Sequence, residues 1–202
     1  MPTKEEDFPT EGGVRLNREL PLRWRKGEVD TESVRDALMY DNEAALANHA
    51  WFEDFERSPY EELPGREGDE AVEARLNLLV AMVGIWMRRQ VNMPEPVPVT
   101  LDEETLVFEC EQAPAVGARV LVEIYLSARF PMPLVFPAEI ANVEGLGASG
   151  RQRVTSRLLE LSRGTRQGIA RVAFRYHRRA LRARHQREAG RQDNDADGPR
   201  SS

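Results

Sequence analysis

The sequence is poor in the residues that build most metal and nucleophilic centres. It contains one cysteine, Cys110, and three histidines, His49, His177 and His185. A single cysteine excludes an internal disulfide and a multi-cysteine metal site, and it favours a reducing, cytoplasmic setting. No two histidines have the spacing of metal ligands with a carboxylate partner, so we predict no metal site. Cys110 alternates with apolar residues in a predicted strand, which indicates a core position.

Long hydrophobic runs and catalytic motifs are also missing. The longest apolar run, residues 76–87, is shorter than the roughly 20 residues that cross a bilayer. Because the first residues are acidic and polar, we predict neither a signal peptide nor a membrane span. There is no G-x-S-x-G sequence and no glycine loop of the kind that cradles phosphates. We therefore predict a protein that is not an enzyme and has no cofactor.

Charge is unevenly distributed, although the chain as a whole carries a net charge of -6. Arginines are frequent between Arg151 and Arg191, where only Glu160 and Glu188 oppose them, so the preceding part is acidic. Such polarity favours either an anionic partner or self-association. No aromatic stacking pattern accompanies the arginines. Self-association is the preferred interpretation, and a nucleic-acid-binding regulator that uses the basic last helix is an alternative.

Residues 69–90 predict a long helix that is apolar on most of its surface. Asp69 can cap the start, and Arg88 and Arg89 place positive charge at the end, where the helix dipole is negative. Apolar residues follow the alternating four-three spacing of a coiled coil, namely Val72, Leu76, Leu79, Val83 and Trp86. Others lie beside this seam: Leu78, Val80, Met82, Ile85 and Met87. Because such a helix has to be buried, we predict a homo-oligomer in which Gly84 allows close helix approach.

A second helix is predicted to begin after Asp30 and to be joined to the first by a loop over residues 58–68. The predicted oligomer interface combines both helices and consists of Val72, Leu76, Leu79, Met82, Val83, Trp86, Leu38, Ala45 and Phe52. A dimer would leave several apolar residues of the apolar helix partly exposed to water. We therefore predict a tetramer.

The other segments alternate in hydrophobicity at every second residue, which is typical of β-strands. Strands are predicted over residues 20–25, after 93, and over 106–110, 120–126, 134–143 and 154–161. Pro137 favours an edge or a bulge. A last helix is predicted to begin at a Thr165 cap. Since one strand precedes the helical pair and the others follow it, we predict an α+β fold in which the pair is inserted into a small antiparallel barrel.

The predicted organisation has five parts. Residues 1–13 form a disordered arm, 14–29 the first barrel strand and 30–92 the helical insertion. Residues 93–187 form the rest of the barrel and its closing helix, and 188–202 a disordered tail.

Three stretches resemble PilZ domains. Residues 17–28 (NRELPLRWRKGE) are similar to the first PilZ strand, residues 98–143 to the central strands, and residues 157–179 (RLLELSRGTRQGIARVAFRYHRR) to the last strand and closing helix. The heptad insertion resembles the atypical, tetramer-forming branch of plant-pathogenic bacteria. The resemblance implies a six-stranded barrel in a bacterial signalling protein, with roles in motility, adhesion or virulence.

PilZ domains commonly bind cyclic di-GMP through an Arg-x-x-x-Arg segment and an Asp/Asn-x-Ser-x-x-Gly motif. Here the resemblance places Arg15 and Arg18 in the first, one residue too close together. The second falls on Thr100, Asp102 and Thr105, which lack the serine and the glycine. We therefore predict weak or absent nucleotide binding and an adaptor that contacts unidentified signalling proteins. A functional receptor that uses non-standard arginines is the alternative.

Overall fold

Six antiparallel strands close into a barrel in the computed structural model, which describes residues 15–27, 29, 31–57, 69–147 and 150–196. The strands are β1 (Leu16–Lys26), β2 (Pro96–Leu101), β3 (Thr105–Cys110), β4 (Arg119–Tyr125), β5 (Pro133–Gly145) and β6 (Gln152–Leu158). Their order around the barrel is β1-β2-β3-β6-β5-β4. The described residues also form three helices, α1 (Glu32–Arg57), α2 (Asp69–Gln90) and α3 (Arg163–Ala196). The predicted α+β barrel is confirmed.

The two helices α1 and α2 form an insertion between neighbouring strands of the barrel. They follow β1 and precede β2, and these strands pair directly, with Leu16 opposite Leu101 and Pro21 opposite Pro96. The sheet is therefore completed across the helical segment, as the order of patterns in the sequence predicts.

The barrel interior is filled by the alternate residues of its strands. Phe108, Phe136 and Ile124 are fully enclosed, and the aliphatic residues of the other strands surround them. Because side chains of a strand point alternately to its two faces, the period-two pattern of the sequence places one face of each strand inside.

Pro137 lies in β5 beyond the end of the ladder that β5 forms with β6. That ladder begins at Ala138, and the Pro137 carbonyl accepts a hydrogen bond from the Leu159 N–H at 2.8 Å. Because Pro137 precedes this ladder, its missing N–H removes no hydrogen bond between β5 and β6. The register shift of β5 occurs farther along, between Ile140 and Asn142.

Helix ends differ from the sequence prediction. The Thr165 N–H donates to Ser162 Oγ at 2.9 Å, so Ser162 and not Thr165 caps α3. Thr31 Oγ1 accepts from the Val34 N–H and caps α1, while Asp30 lies outside the described residues. The structure corrects the predicted end at residue 187: α3 continues to Ala196, because no proline interrupts the chain before Pro199. The predicted arm, residues 1–13, and residues 197–202 also lie outside the described residues.

Asn42 fixes α1 to the barrel, because its side chain forms with the backbone of β5 the two hydrogen bonds that a neighbouring strand would form. Its side-chain amide donates to the Val135 carbonyl and its side-chain oxygen accepts from the Val135 N–H, both at 2.8 Å. Val135 lies in β5 before the point where the β5–β6 ladder starts. Asn42 is 3% exposed, so it satisfies both backbone groups away from water.

The same side of α1 continues into the core of the protein. Ala45 and Leu46 are buried, and a Cβ atom added at Gly168 of α3 would lie 2.7 Å from Leu46 Cδ1 and 3.0 Å from Leu46 Cβ. His49 approaches Tyr176 of α3, with 3.2 Å between its Nε2 and the phenol oxygen. Helix α1 therefore joins β5 to α3.

Replacing Asn42 by leucine is expected to lower the free energy of unfolding by about 2–4 kcal/mol, because the Val135 N–H and carbonyl lose their partners in a buried place. Urea unfolding followed by circular dichroism measures the change. Asn48→Leu on the exposed side of α1 is the matched control, expected within about 1 kcal/mol of the wild type. Equal losses in the two variants would contradict the role given to Asn42.

Candidate functional site

Helix α2 leaves most of its apolar surface uncovered in the single chain. The packed pairs of elements in the described ranges are neighbouring strands, α1 with α3, α1 with β5, and α3 with β1; α2 belongs to none of them. Its large exposed apolar side chains are Val72, Leu76, Leu78, Leu79, Met82, Val83, Ile85 and Trp86. Leu79 and Trp86 are 58% and 63% exposed, values typical of surface positions. A surface of this kind marks an interaction site.

The exposed side chains form two strips along α2. The first strip is the heptad seam with Leu79 and Val83 at its centre. The second contains Leu78, Met82 and Ile85 and lies roughly 110° around the helix from the first, taking 100° per residue. A single partner helix covers one strip of this width and leaves the other in water.

Gly84 is the point at which α2 touches its own barrel. A Cβ atom there would lie 2.8 Å from Phe130 Cε1 and 3.2 Å from the Arg129 carbonyl oxygen. Phe130, in the turn before β5, is itself buried. The structure therefore corrects the role predicted for Gly84: it allows α2 to approach the barrel of the same chain. The two apolar strips face away from this contact.

The predicted interface residues occupy three kinds of place. Six lie on the uncovered surface of α2: Val72, Leu76, Leu79, Met82, Val83 and Trp86. On α1, Leu38 is half-buried and lines a small depression with Val29 and Leu161. Ala45 belongs to the core of the single chain, so it is not available to a second copy. The side chain of Phe52 is outside the part of the chain that the structure describes.

Arg15 is held by Asp102 across the start of the barrel. Its Nε lies 3.1 Å from Asp102 Oδ2, while Asp102 Oδ1 accepts the backbone N–H groups of Glu104 and Thr105 at 2.9 and 2.7 Å. Asp102 thereby forms the turn between β2 and β3 and binds Arg15 with its other oxygen. Asp102, which the resemblance places in the second nucleotide-binding motif, therefore stabilises a turn and forms an ion pair in this structure.

Arg18 stacks on an aromatic ring of α3. Its guanidinium carbon lies 4.4 Å from the centre of the Tyr176 ring, and Arg179 approaches the same ring at 5.2 Å. Stacking of this kind is a favourable cation–π contact. Arg15 and Arg18 are therefore on the same strand end but engage different partners, and Tyr176 is a contact that the sequence spacing did not predict.

Cys110, the one cysteine of the sequence, is partly buried in β3. Burial raises the pKa of the Cys110 thiol, partly offset by a hydrogen bond with Trp24, and a raised pKa disfavours the reactive thiolate. No three histidine, cysteine, aspartate or glutamate side chains come together as metal ligands among the residues that the structure describes. In the same part of the chain, no helix is long and apolar enough to cross a membrane.

Comparison with known proteins gives a structural match but no sequence match. No protein-family model and no curated protein matches the chain. The fold is similar to that of a pathogenic protein of Xanthomonas campestris, a tetrameric PilZ domain that self-assembles via an unusual helical bundle. The TM-score is 0.67 at 21% sequence identity, covering 84% of this chain and 90% of that one. The Bacillus subtilis inhibitor of motility matches at a TM-score of 0.35 and 12% identity, over 41% of each chain.

The match to the Xanthomonas protein spans most of this chain. It confirms the predicted resemblance at the level of the fold. The chain has the fold of a PilZ domain with a helical insertion.

Proposed function

We propose that this chain is a non-enzymatic, PilZ-type signalling module of the bacterial cytoplasm that assembles with copies of itself through α2. The uncovered apolar surface of α2 carries the proposal. Transferring the exposed part of a large apolar side chain out of water contributes on the order of 1 kcal/mol per residue. Eight such residues on one helix favour association strongly.

The two strips of α2 favour a tetramer over a dimer. In a four-helix bundle each helix contacts two neighbours, which approach from directions about 90° apart. The separation of the strips on α2, roughly 110°, matches that requirement. The structurally similar Xanthomonas protein is a tetramer formed by a helical bundle, which supports the same arrangement here.

Weak or lost cyclic di-GMP binding is the second part of the proposal. A nucleotide would compete with Asp102 for Arg15, and it would meet Arg18 with its guanidinium already stacked on the Tyr176 ring. The acidic residues 102–104 add negative charge at the same place. The module is then an adaptor that acts on other signalling proteins by presenting several barrels on one bundle.

Replacing Leu79 by aspartate is expected to convert the assembly to monomers, because a charge at the centre of the seam would have to be buried and the second strip, with three apolar residues, is too short to hold two copies by itself. Sedimentation velocity at micromolar concentration measures the assembly, and circular dichroism verifies the fold. Val116→Asp is the matched control: Val116 is 62% exposed, in the turn before β4, and its replacement should leave the assembly unchanged. A wild-type monomer, or an intact assembly in Leu79→Asp, would contradict the proposal.

Replacing Ile85 by aspartate separates a tetramer from a dimer. Ile85 lies on the second strip, so this variant is expected to stop at the dimer formed through the heptad seam. Its sedimentation coefficient should fall between those of the wild type and Leu79→Asp. An unchanged assembly would show that only one strip is covered.

Titration calorimetry with cyclic di-GMP at micromolar protein is expected to show no binding heat, because both candidate arginines are already engaged. Arg15→Ala and Arg18→Ala should behave like the wild type, and so should the control Arg25→Ala on the outside of β1. The receptor alternative predicts the opposite, namely wild-type binding that is lost in Arg15→Ala or Arg18→Ala and kept in Arg25→Ala.

A further inference from the structure

Helix α3 has one side fixed against the rest of the protein. Ile169, Val172 and Ala173 are buried, and Gly168 lies so close to Leu46 of α1 that a Cβ atom would collide with it. The orientation of α3 about its own axis is therefore determined by packing. The opposite side of the helix necessarily faces outward.

Two large apolar side chains lie at the centre of that outward side. Phe174 and Leu181 are 50% and 42% exposed, and a separation of two helical turns places them on the same line. Arg178 lies between them, with its guanidinium carbon 5.8 Å from the centre of the Phe174 ring. Neither apolar residue contributes to the core of the single chain.

Exposed arginines border this line on both sides. At 100° per residue, Arg171 and Arg182 lie on one flank and Arg166 and Arg184 on the other. No aspartate or glutamate occurs between residues 163 and 184, and the ion pairs between described side chains involve none of these four arginines. We name Phe174, Leu181 and the arginines 166, 171, 178, 182 and 184 the α3 outer face.

We propose that the α3 outer face binds the surface of anionic lipid membranes. An apolar centre with cationic flanks is the arrangement of helices that lie in a membrane interface, where Phe and Leu enter the acyl boundary and arginines contact lipid phosphates. A nucleic acid would use the arginines equally well, but it would gain nothing from two apolar side chains at the centre of the contact. The centre of the face therefore favours a membrane.

This binding is peripheral and goes beyond the proposed assembly. The α3 outer face belongs to a different helix from the two strips of α2, so variants on α3 test membrane binding and variants on α2 test assembly. A chain with this surface would bring its barrel to the inner membrane face without spanning the bilayer.

Flotation of the full chain with lipid vesicles tests the proposal. One set contains equal parts of phosphatidylglycerol and phosphatidylcholine, and the other contains phosphatidylcholine only. The wild type is expected to bind the anionic vesicles and not the neutral ones, with binding that weakens as salt is added. Arg178→Gln combined with Arg182→Gln should weaken binding to the anionic vesicles about thirty-fold.

The apolar centre is tested by the double variant Phe174→Ser and Leu181→Ser, which leaves every charge in place. It is expected to weaken binding roughly thirty-fold. Val116→Ser is the control and should bind like the wild type, because Val116 is an exposed apolar residue in the turn before β4 and not on α3. Circular dichroism establishes that each variant is folded.

Three results would overturn the proposal. The first is a wild type that binds neither vesicle set. The second is equal binding by the wild type and the Phe174→Ser, Leu181→Ser variant, which would reduce the contact to charge alone. The third is a wild type that does not bind the vesicles but binds a DNA or RNA oligonucleotide. The α3 outer face would then be a nucleic-acid-binding surface.

Discussion

The exposed apolar surface of α2 is the feature on which the rest of the account depends. Water solvates such a surface unfavourably, and the free energy that this costs is comparable with the whole stability of a domain of ordinary size. The barrel of the same chain approaches α2 closely at Gly84, where the helix and Phe130 are in contact. What covers the other sides of α2 therefore decides how the chain exists in solution.

The barrel supplies the fixed points that hold the helices in place. Asn42 binds α1 to the backbone of β5, and α3 packs between α1 and β1. Arg18 then connects the beginning of β1 to Tyr176 of α3. In this arrangement an arginine at the place where PilZ domains commonly hold a nucleotide becomes part of the protein's own structure. The same contact attaches α3 to the beginning of β1.

Local signals predicted much of this fold and part of the candidate site. The bounds of α2 agree with the sequence because a cap, charges at its ends and a heptad pattern all lie within it. Ala45 was assigned to the wrong surface, since spacing shows which residues share a face but not what that face meets. The hydrogen bonds between Asn42 and Val135 join positions far apart in the chain, so no local pattern could predict them. Asn42, Ala45, Leu46 and His49 are buried and share one face of α1. Their helical spacing was the signal available in the sequence, and it was obscured because two of the four residues are polar.

Hydrogen–deuterium exchange of the α2 backbone, measured on the wild-type chain over a dilution series, tests the central claim most directly. An assembled bundle shields α2 from exchange, whereas an uncovered helix opens readily. The account predicts slow exchange over residues 72–88 at high concentration and fast exchange once dilution has separated the copies. Fast exchange at every concentration would contradict it, and so would slow exchange that persists when sedimentation shows a monomer.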